Sequence, residues 1–195
     1  MIDSIAYYDR NGAAFFAGSV NADMATDRAR FLKHVPSGGA ILEAGCGSGR
    51  DALAFKQAGY AVTAIDGSAE MVRRASEHTG LTVQHKRFDQ VDWRNAFDGI
   101  WSCASLLHVQ RADLPDAMAR LVRALKPGGV WYMSFKYGDH EAIVHERHFT
   151  YMTEPMLTAA IRAQDLELID LWTSEDVRPE RKGETWLGAI VRKPA

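Results

Sequence analysis

A chain of 195 residues and 21.6 kDa, with 47% hydrophobic and 25% charged residues, has ordinary globular composition, which excludes wholesale disorder and fibrous repeats. Its 23 Lys and Arg against 25 Asp and Glu leave a net charge of −2, so no basic field gathers phosphate backbones and a nucleic-acid partner is disfavoured. Met1-Ile2-Asp3-Ser4 lacks the basic and apolar segments of a secretory leader. No uncharged apolar run approaches the roughly 18 residues needed to cross a bilayer. Cys46 and Cys103 are the two cysteines, too few for a disulfide framework or a zinc site by themselves. The expectation is a cytoplasmic protein with no membrane contact and no metal centre.

The first expected element is an amino-terminal helix on which Ile5, Tyr8, Gly12 and Phe16 share a face by spacing. Ala40-Ile41-Leu42 is a strand ending at Glu43 and a glycine loop, and Arg50 to Ala58 is a helix stopped by Gly59. Ala61 to Ile65 is a buried strand ending at Asp66, followed by a helix over Ser68 to His78 with Ser68 as N-cap. Leu81 to His85 and Phe97 to Trp101 are the third and fourth strands. From Leu114 the apolar positions Ala117, Met118, Leu121, Val122 and Leu125 form a helical stripe. Lys126-Pro127-Gly128-Gly129 suits a type II turn, with Gly128 at the position that needs positive φ, and Val130 to Phe135 is the fifth strand. Alternating strands and helices of this length predict right-handed crossovers and a mostly parallel sheet covered on both faces. Beyond a helix over Pro155 to Arg162, strands at Leu166 to Trp172 and Thr185 to Val191 are joined by a polar loop, which predicts an antiparallel hairpin at the sheet edge. No repeat or linker divides the chain.

Glu43-Ala-Gly45-Cys46-Gly47-Ser-Gly49-Arg50-Asp51 carries the strongest chemical signal. Glycines between a strand and a helix let the backbone turn sharply and let a ligand touch the main chain. Their G-x-G-x-G spacing differs from the G-x-G-x-x-G of pyrophosphate-binding loops, which weakens a nicotinamide dehydrogenase. Asp66, at the end of the second strand, is placed to accept hydrogen bonds from both hydroxyls of a ribose, or to cap Gly67 and Ser68 locally. Asp89-Gln90, past the third strand, either brackets an adenine or lies in a surface loop.

Together with Phe97-Asp98-Gly99-Ile100-Trp101 and Leu125-Lys-Pro-Gly-Gly129, these features resemble class I S-adenosylmethionine-dependent methyltransferases over about residues 38 to 136. Within them, the Gly45–Arg50 segment looks most like the small bacterial tellurite-resistance methyltransferases, although those usually carry Asn where this chain has Asp51. The resemblance implies an α/β, Rossmann-like, doubly wound, mostly parallel sheet with a C-terminal antiparallel hairpin. It also implies one methyltransferase domain over 1–195: a helical cap over 1–36, a cofactor-binding core over 37–136, and a substrate side with terminal strands over 137–195. S-adenosyl-L-methionine is the implied cofactor and a small molecule the implied methyl acceptor. The cofactor's methionine half would lie beside Gly45, Cys46, Gly47, Gly49 and Arg50, with Glu43 acting through water or loop amides. Asp66 would hold the ribose, Gly67 and Met71 would pack near the adenosine, and Asp89 and Gln90 would bracket adenine. Cys103, Ala104, Ser105 and Leu107 would line the floor near the sulfonium.

His108 is the catalytic candidate, able to orient a nucleophile or the cofactor carboxylate, against the plainer reading of a histidine bonded to backbone. Tyr7, Tyr8, Phe15 and Phe16 are expected at the mouth, with Tyr8 on the cofactor and Phe16 on the substrate. Tyr137 and Arg147 are the substrate-side candidates of the loop after strand five. The residues weigh three alternatives: a nucleic-acid methyltransferase, which Ser102-Cys103-Ala104-Ser105 and the lack of a basic block disfavour, a protein methyltransferase, and a module that binds S-adenosylmethionine without turnover. The acceptor atom and the oligomeric state stay open at this level.

Overall fold

The computed structural model describes residues 4–195; Met1–Asp3, part of the segment read for a leader, lie outside the described residues. Helices α1 (Ser4–Ser19) and α2 (Ala25–Leu32) precede β1 (Ala40–Ala44), α3 (Arg50–Gln57), β2 (Ala61–Asp66), α4 (Ala69–Thr79), β3 (Gln84–His85) and β4 (Phe97–Ser102). Then come α5 (Leu114–Ala124), β5 (Leu125–Lys136), β6 (Glu141–Val144), β7 (Arg147–Thr150), α6 (Glu154–Arg162), β8 (Glu167–Glu175) and β9 (Thr185–Arg192). The main sheet has seven strands in the order β3-β2-β1-β4-β5-β9-β8. Pairs among β1 to β5 are parallel, while β9 runs antiparallel to both β5 and β8. The expected parallel sheet with a terminal antiparallel hairpin is therefore present, and the hairpin enters with its second strand innermost.

Alternating burial explains how the sheet is covered. Leu114, Ala117, Met118 and Leu121 of α5, with Leu157 and Ile161 of α6, pack with Ile100 and Trp131 in one cluster. Phe31 of α2 and Phe55 of α3 pack with Ile41, Trp101 and Tyr132 in another. Trp101 and Tyr132 stack with centroids 3.9 Å apart, so this face is anchored by aromatic area, each ring removing about 150–250 Å² from water. Ser68 caps α4, its hydroxyl accepting the Met71 amide at 3.2 Å.

Three local expectations change. Only Gln84 and His85 of the third strand pair, with Ile65 and Asp66; Leu81 to Val83 lead into it without ladder bonds to β2. The fifth strand begins at Leu125, and its pairing with β4 jumps from Phe97–Leu125 to Gly99–Val130. Lys126–Gly129 is thus a turn inserted in the strand, with Gly128 at φ +75° as a type II turn requires. Residues 141–150, expected as an irregular loop, form the antiparallel β6–β7 ribbon, paired from Glu141–Thr150 to Val144–Arg147. Among the described residues no helix is long and apolar enough to cross a membrane.

Candidate active site

The strand order reverses between β1 and β4, and a ligand crevice in an open α/β sheet lies at the carboxyl ends of the strands at such a switch point. A cleft of about 810 Å³ opens there, roofed by α1 and flanked by the β6–β7 ribbon and β8.

The glycine loop shapes its floor. Gly45 and Cys46 both donate their amides to the Ile65 carbonyl at 2.9 Å, locking the end of β1 to β2. Gly45 has φ +82°, and a Cβ there would lie 2.5 Å from Ser105 Cβ. Gly47 has φ +52°, and its Cβ would meet the Phe15 ring at 3.2 Å; both positions combine a conformation L side chains resist with no room for one. The Gly47 amide donates to Asp66 Oδ2 at 2.8 Å and the Ser68 amide to Oδ1 at 2.9 Å. Asp66 therefore ties the glycine loop to the start of α4 while bordering the cleft. Burial pushes its carboxyl up, partly offset by those two amides.

Glu43, at the end of β1, is 3% exposed and its Oε2 has no partner. Burial, and after it the Asp51 charge, push its carboxyl well above the usual range, with Arg50 opposing. A buried carboxylate oxygen with nothing to accept is costly unless a ligand donor meets it. Asp51, by contrast, is fully engaged. It is 1% exposed and accepts from Arg28 at 2.6 Å, from Arg50 through both Nε and Nη2, and from Trp101 Nε1 at 2.9 Å. Burial alone would raise its carboxyl, but the two guanidinium groups outweigh it and hold it low.

The opposite wall is a polar chain among aromatics. Tyr8 Oη lies 2.8 Å from His108 Nε2, and His108 Nδ1 lies 2.8 Å from the His148 carbonyl. A carbonyl only accepts, so Nδ1 carries the proton and the Tyr8 hydroxyl donates to Nε2. Burial pushes His108 down to about 4, which keeps it neutral near pH 7. Arg147 Nη1 reaches Tyr8 Oη at 3.5 Å, and its guanidinium faces the rings of Tyr7, Tyr8 and Phe149 at 4.6, 5.9 and 5.1 Å. The turn after β4 is pinned against this wall. Ala104 sits at φ +50° with its amide donated to Ser134 Oγ at 2.9 Å, and Ser105 donates to the Ala44 carbonyl at 2.7 Å.

Most expected site residues converge. Gly45, Cys46, Gly47 and Arg50 line the cleft beside Glu43, and Gly67, Met71 and Asp89 border it beside Asp66. Cys103, Ala104, Ser105 and Leu107 line it from the end of β4, and Tyr8, His108 and Arg147 from the far wall. Burial pushes the Cys103 thiol up to about 12 and raises Cys46 as well, so both are inert thiols.

Five expected residues do not line the cleft; the first, Tyr7, packs edge-on against Tyr8 at 5.5 Å. Gly49, at φ +75°, leads into α3 and turns toward Thr79 and Ala75 of α4. Gln90 folds back so that its Oε1 accepts the Arg87 amide at 2.9 Å. Phe16 packs edge-on against His78, away from the cleft, because α1 turns the Gly12 and Phe16 side toward α4. Tyr137 is 40% exposed and donates to Glu154 at 2.8 Å. The helix face over the cleft is Tyr8 with Phe15, both expected at the mouth; their rings meet at 4.8 Å and their spacing of seven residues is two helical turns. Phe88 after β3 and Lys136 at the end of β5 also line the cleft, as do Phe149 of the ribbon and Trp172 and Trp186 of the terminal hairpin, elements that local spacing does not place.

The strand order, a mostly parallel sheet with antiparallel terminal strands, is that of the class I methyltransferase fold. Residues 41–129 match a family model described as a methyltransferase domain. A malonyl-[acyl-carrier protein] O-methyltransferase of Pectobacterium atrosepticum is 41% identical over 111 residues, covering 54% of this chain and 42% of that protein. An S-adenosyl-L-methionine-dependent Diels-Alderase of Talaromyces variabilis is 34% identical over 105 residues, covering 49% and 35% respectively. The chain spans less than half the length of these curated relatives. Among solved structures, the 1,6-didemethyltoxoflavin-N1-methyltransferase of Burkholderia thailandensis superposes with a TM-score of 0.80 at 24% identity, covering 97% of this chain and 85% of that one. That crystal contains 1,6-didemethyltoxoflavin and S-adenosylhomocysteine.

Proposed function

We propose that this chain binds S-adenosylmethionine at the glycine loop and transfers its methyl group to a small molecule held between α1 and the β6–β7 ribbon. The observation that carries this reading is the unpartnered, buried Oε2 of Glu43 beside the glycine loop. It is an acceptor that the ammonium of a methionine moiety would satisfy. Asp66 would take the ribose hydroxyls with the carboxylate that now holds the Gly47 and Ser68 amides, and Asp89, which lines the same cleft, would face the adenine. Arg50, already forked onto Asp51, fixes the loop rather than reaching freely for a ligand.

When bound, S-adenosylmethionine supplies an already activated methyl on a sulfonium. The protein's task is then orientation and exclusion of water, holding the acceptor atom in line at roughly 3 Å. Tyr8, Phe15 and Phe149 close the cleft with apolar area, while Tyr8 and His108 fix one another by their shared proton. His108 is a positioning residue in this scheme: both ring nitrogens are engaged, and its low proton affinity makes it a poor base. The tellurite-resistance resemblance in Gly45–Arg50 supplies no acceptor. Asp51, where that group usually carries Asn, serves the Arg28–Arg50–Trp101 cluster.

Calorimetry with S-adenosylhomocysteine against NAD is the first test, with S-adenosylhomocysteine alone expected to bind. Transfer of labelled methyl from S-adenosylmethionine to small-molecule acceptors is the second. Binding without transfer to small molecules, nucleic acid or protein would leave a cofactor-binding module and refute the enzymatic reading.

A further inference from the structure

Arg147 is 7% exposed, lies on the cleft wall, and among the described residues has no carboxylate partner. Among the described residues its one side-chain hydrogen bond is the 3.5 Å contact from Nη1 to Tyr8 Oη, and its Nε is buried without an acceptor. The ribbon carboxylates are engaged elsewhere, Glu141 with His148 at 3.1 Å and Glu146 with Arg10 at 3.4 Å, and Glu184 pairs with Lys136 at 2.7 Å. The faces of Tyr7, Tyr8 and Phe149 compensate part of the cation's charge. They supply no in-plane acceptors for its N–H groups. A buried guanidinium with idle donors is strongly unfavourable in an empty protein unless something completes it, and this one is held on the β6–β7 ribbon where it lines the cleft.

Resting on the methyltransferase reading, we propose that Arg147 binds a carboxylate of the methyl acceptor, so that the substrates of this site are small carboxylic acids whose anionic end docks on the β6–β7 ribbon. The planar fork of a guanidinium matches a carboxylate, and the flanking rings suit an apolar or aromatic body next to it. Lys136 lies over Phe149 at 5.1 Å with its ammonium paired to Glu184 at 2.7 Å. A phosphate ester fits less well, since it needs more donors than one guanidinium offers and Lys136 already holds Glu184.

The test compares benzoate with benzamide, and hexanoate with hexanamide, by ligand-observed NMR titration of the full chain with and without S-adenosylhomocysteine. Each acid is expected to bind about 10- to 100-fold tighter than its amide, the scale of a charge-assisted hydrogen bond. Arg147→Gln should erase that preference while leaving affinity for S-adenosylhomocysteine unchanged. Arg147→Lys, which keeps the charge but loses the fork, should reduce it several-fold, and serves alone if the Gln variant does not fold. Equal affinity of acid and amide, no binding of either, a preference that survives both substitutions, or tighter binding of inorganic phosphate than of benzoate would overturn the proposal. Failure of S-adenosylhomocysteine to bind, with the acid preference intact, would instead remove the methyltransferase reading and leave the anion site standing.

Discussion

His108 offers a direct measurement of how the far wall is built. In the fold its proton affinity is pushed down to about 4 by burial, against an ordinary value of 6.5. Between those limits the unfolded chain binds a proton that the native state refuses, so stability rises with pH there and is lost as pH falls from 6.5 toward 4. Two and a half pH units at 1.36 kcal/mol each give a total of about 3 kcal/mol, of which about 2–3 kcal/mol is lost by pH 4.5. Other buried groups titrate over the same range, so the informative quantity is a difference. His108→Gln keeps an acceptor for Tyr8 and removes the titration, giving up the hydrogen bond to the His148 carbonyl at about 1 kcal/mol. In urea unfolding, the variant should be less stable than wild type at pH 7.5 by about 1 kcal/mol and more stable at pH 4.5. Long-range nitrogen–proton spectra should show the Nδ1–H tautomer throughout. Parallel stability curves for the two proteins, or an imidazolium signal at pH 6, would refute the assignment of His108 as a neutral acceptor for Tyr8.

Asp66→Ala should weaken S-adenosylhomocysteine by ~1.5–3 kcal/mol by calorimetry, the scale for deleting a charge-assisted partner; unchanged affinity in a folded variant would remove Asp66 from the site. Gly47→Val should abolish that binding with far-UV circular dichroism retained, since the new side chain faces the Phe15 ring at 3.2 Å and resists φ +52°; a collapsed spectrum would make the glycine chiefly structural. Glu43→Gln should stabilise the ligand-free protein above pH 5 and also weaken S-adenosylhomocysteine. A carboxyl whose folded proton affinity is raised loses stability as pH rises past its unfolded value near 4.3, and Gln does not titrate. Equal stability with equal affinity would show that Glu43 is already satisfied.

Sequence patterning located the half of the site that is local in the chain. The glycine loop, Asp66 and the Cys103–Ser105 turn each follow a strand whose apolar run is unmistakable, and a parallel sheet brings the ends of such strands together whatever lies between them. Phe16 and Tyr137 were misplaced for the opposite reason. Spacing along α1 makes Gly12 and Phe16 look equivalent to Tyr8, but the partner helix α4 decides which side turns inward. The β6–β7 ribbon is short, half-polar and stabilised by tertiary clamps, such as Arg111 donating to the Asp139, His140 and Tyr151 carbonyls. None of those contacts has a period to detect. Asp51 of α3 shows a third case, an acid whose meaning depends on Arg28, 23 residues away in sequence, and on the indole N–H of Trp101 from β4.

The two walls of the cleft differ in how they are held, and this difference bears on function. On the glycine-loop side the turns are fixed by main-chain bonds to Ile65 of β2 and by the Asp66 carboxylate, so its geometry exists before any ligand arrives, as a site for an invariant cofactor requires. On the far side the bonds run between elements that have no ladder in common: α1 through Tyr8, the turn after β4 through His108, and the ribbon through Arg147 and the His148 carbonyl. Ser4 reinforces the join, its hydroxyl accepting the His148 amide at 2.9 Å. Moving any one of these elements on its own breaks a bond to another, so the wall is held as one unit. An acceptor that satisfies Arg147 would compensate its charge, whereas one that leaves the guanidinium unpaired would bury the same unfavourable cation. Specificity at this site would then be set on the ribbon, the element least legible in the sequence.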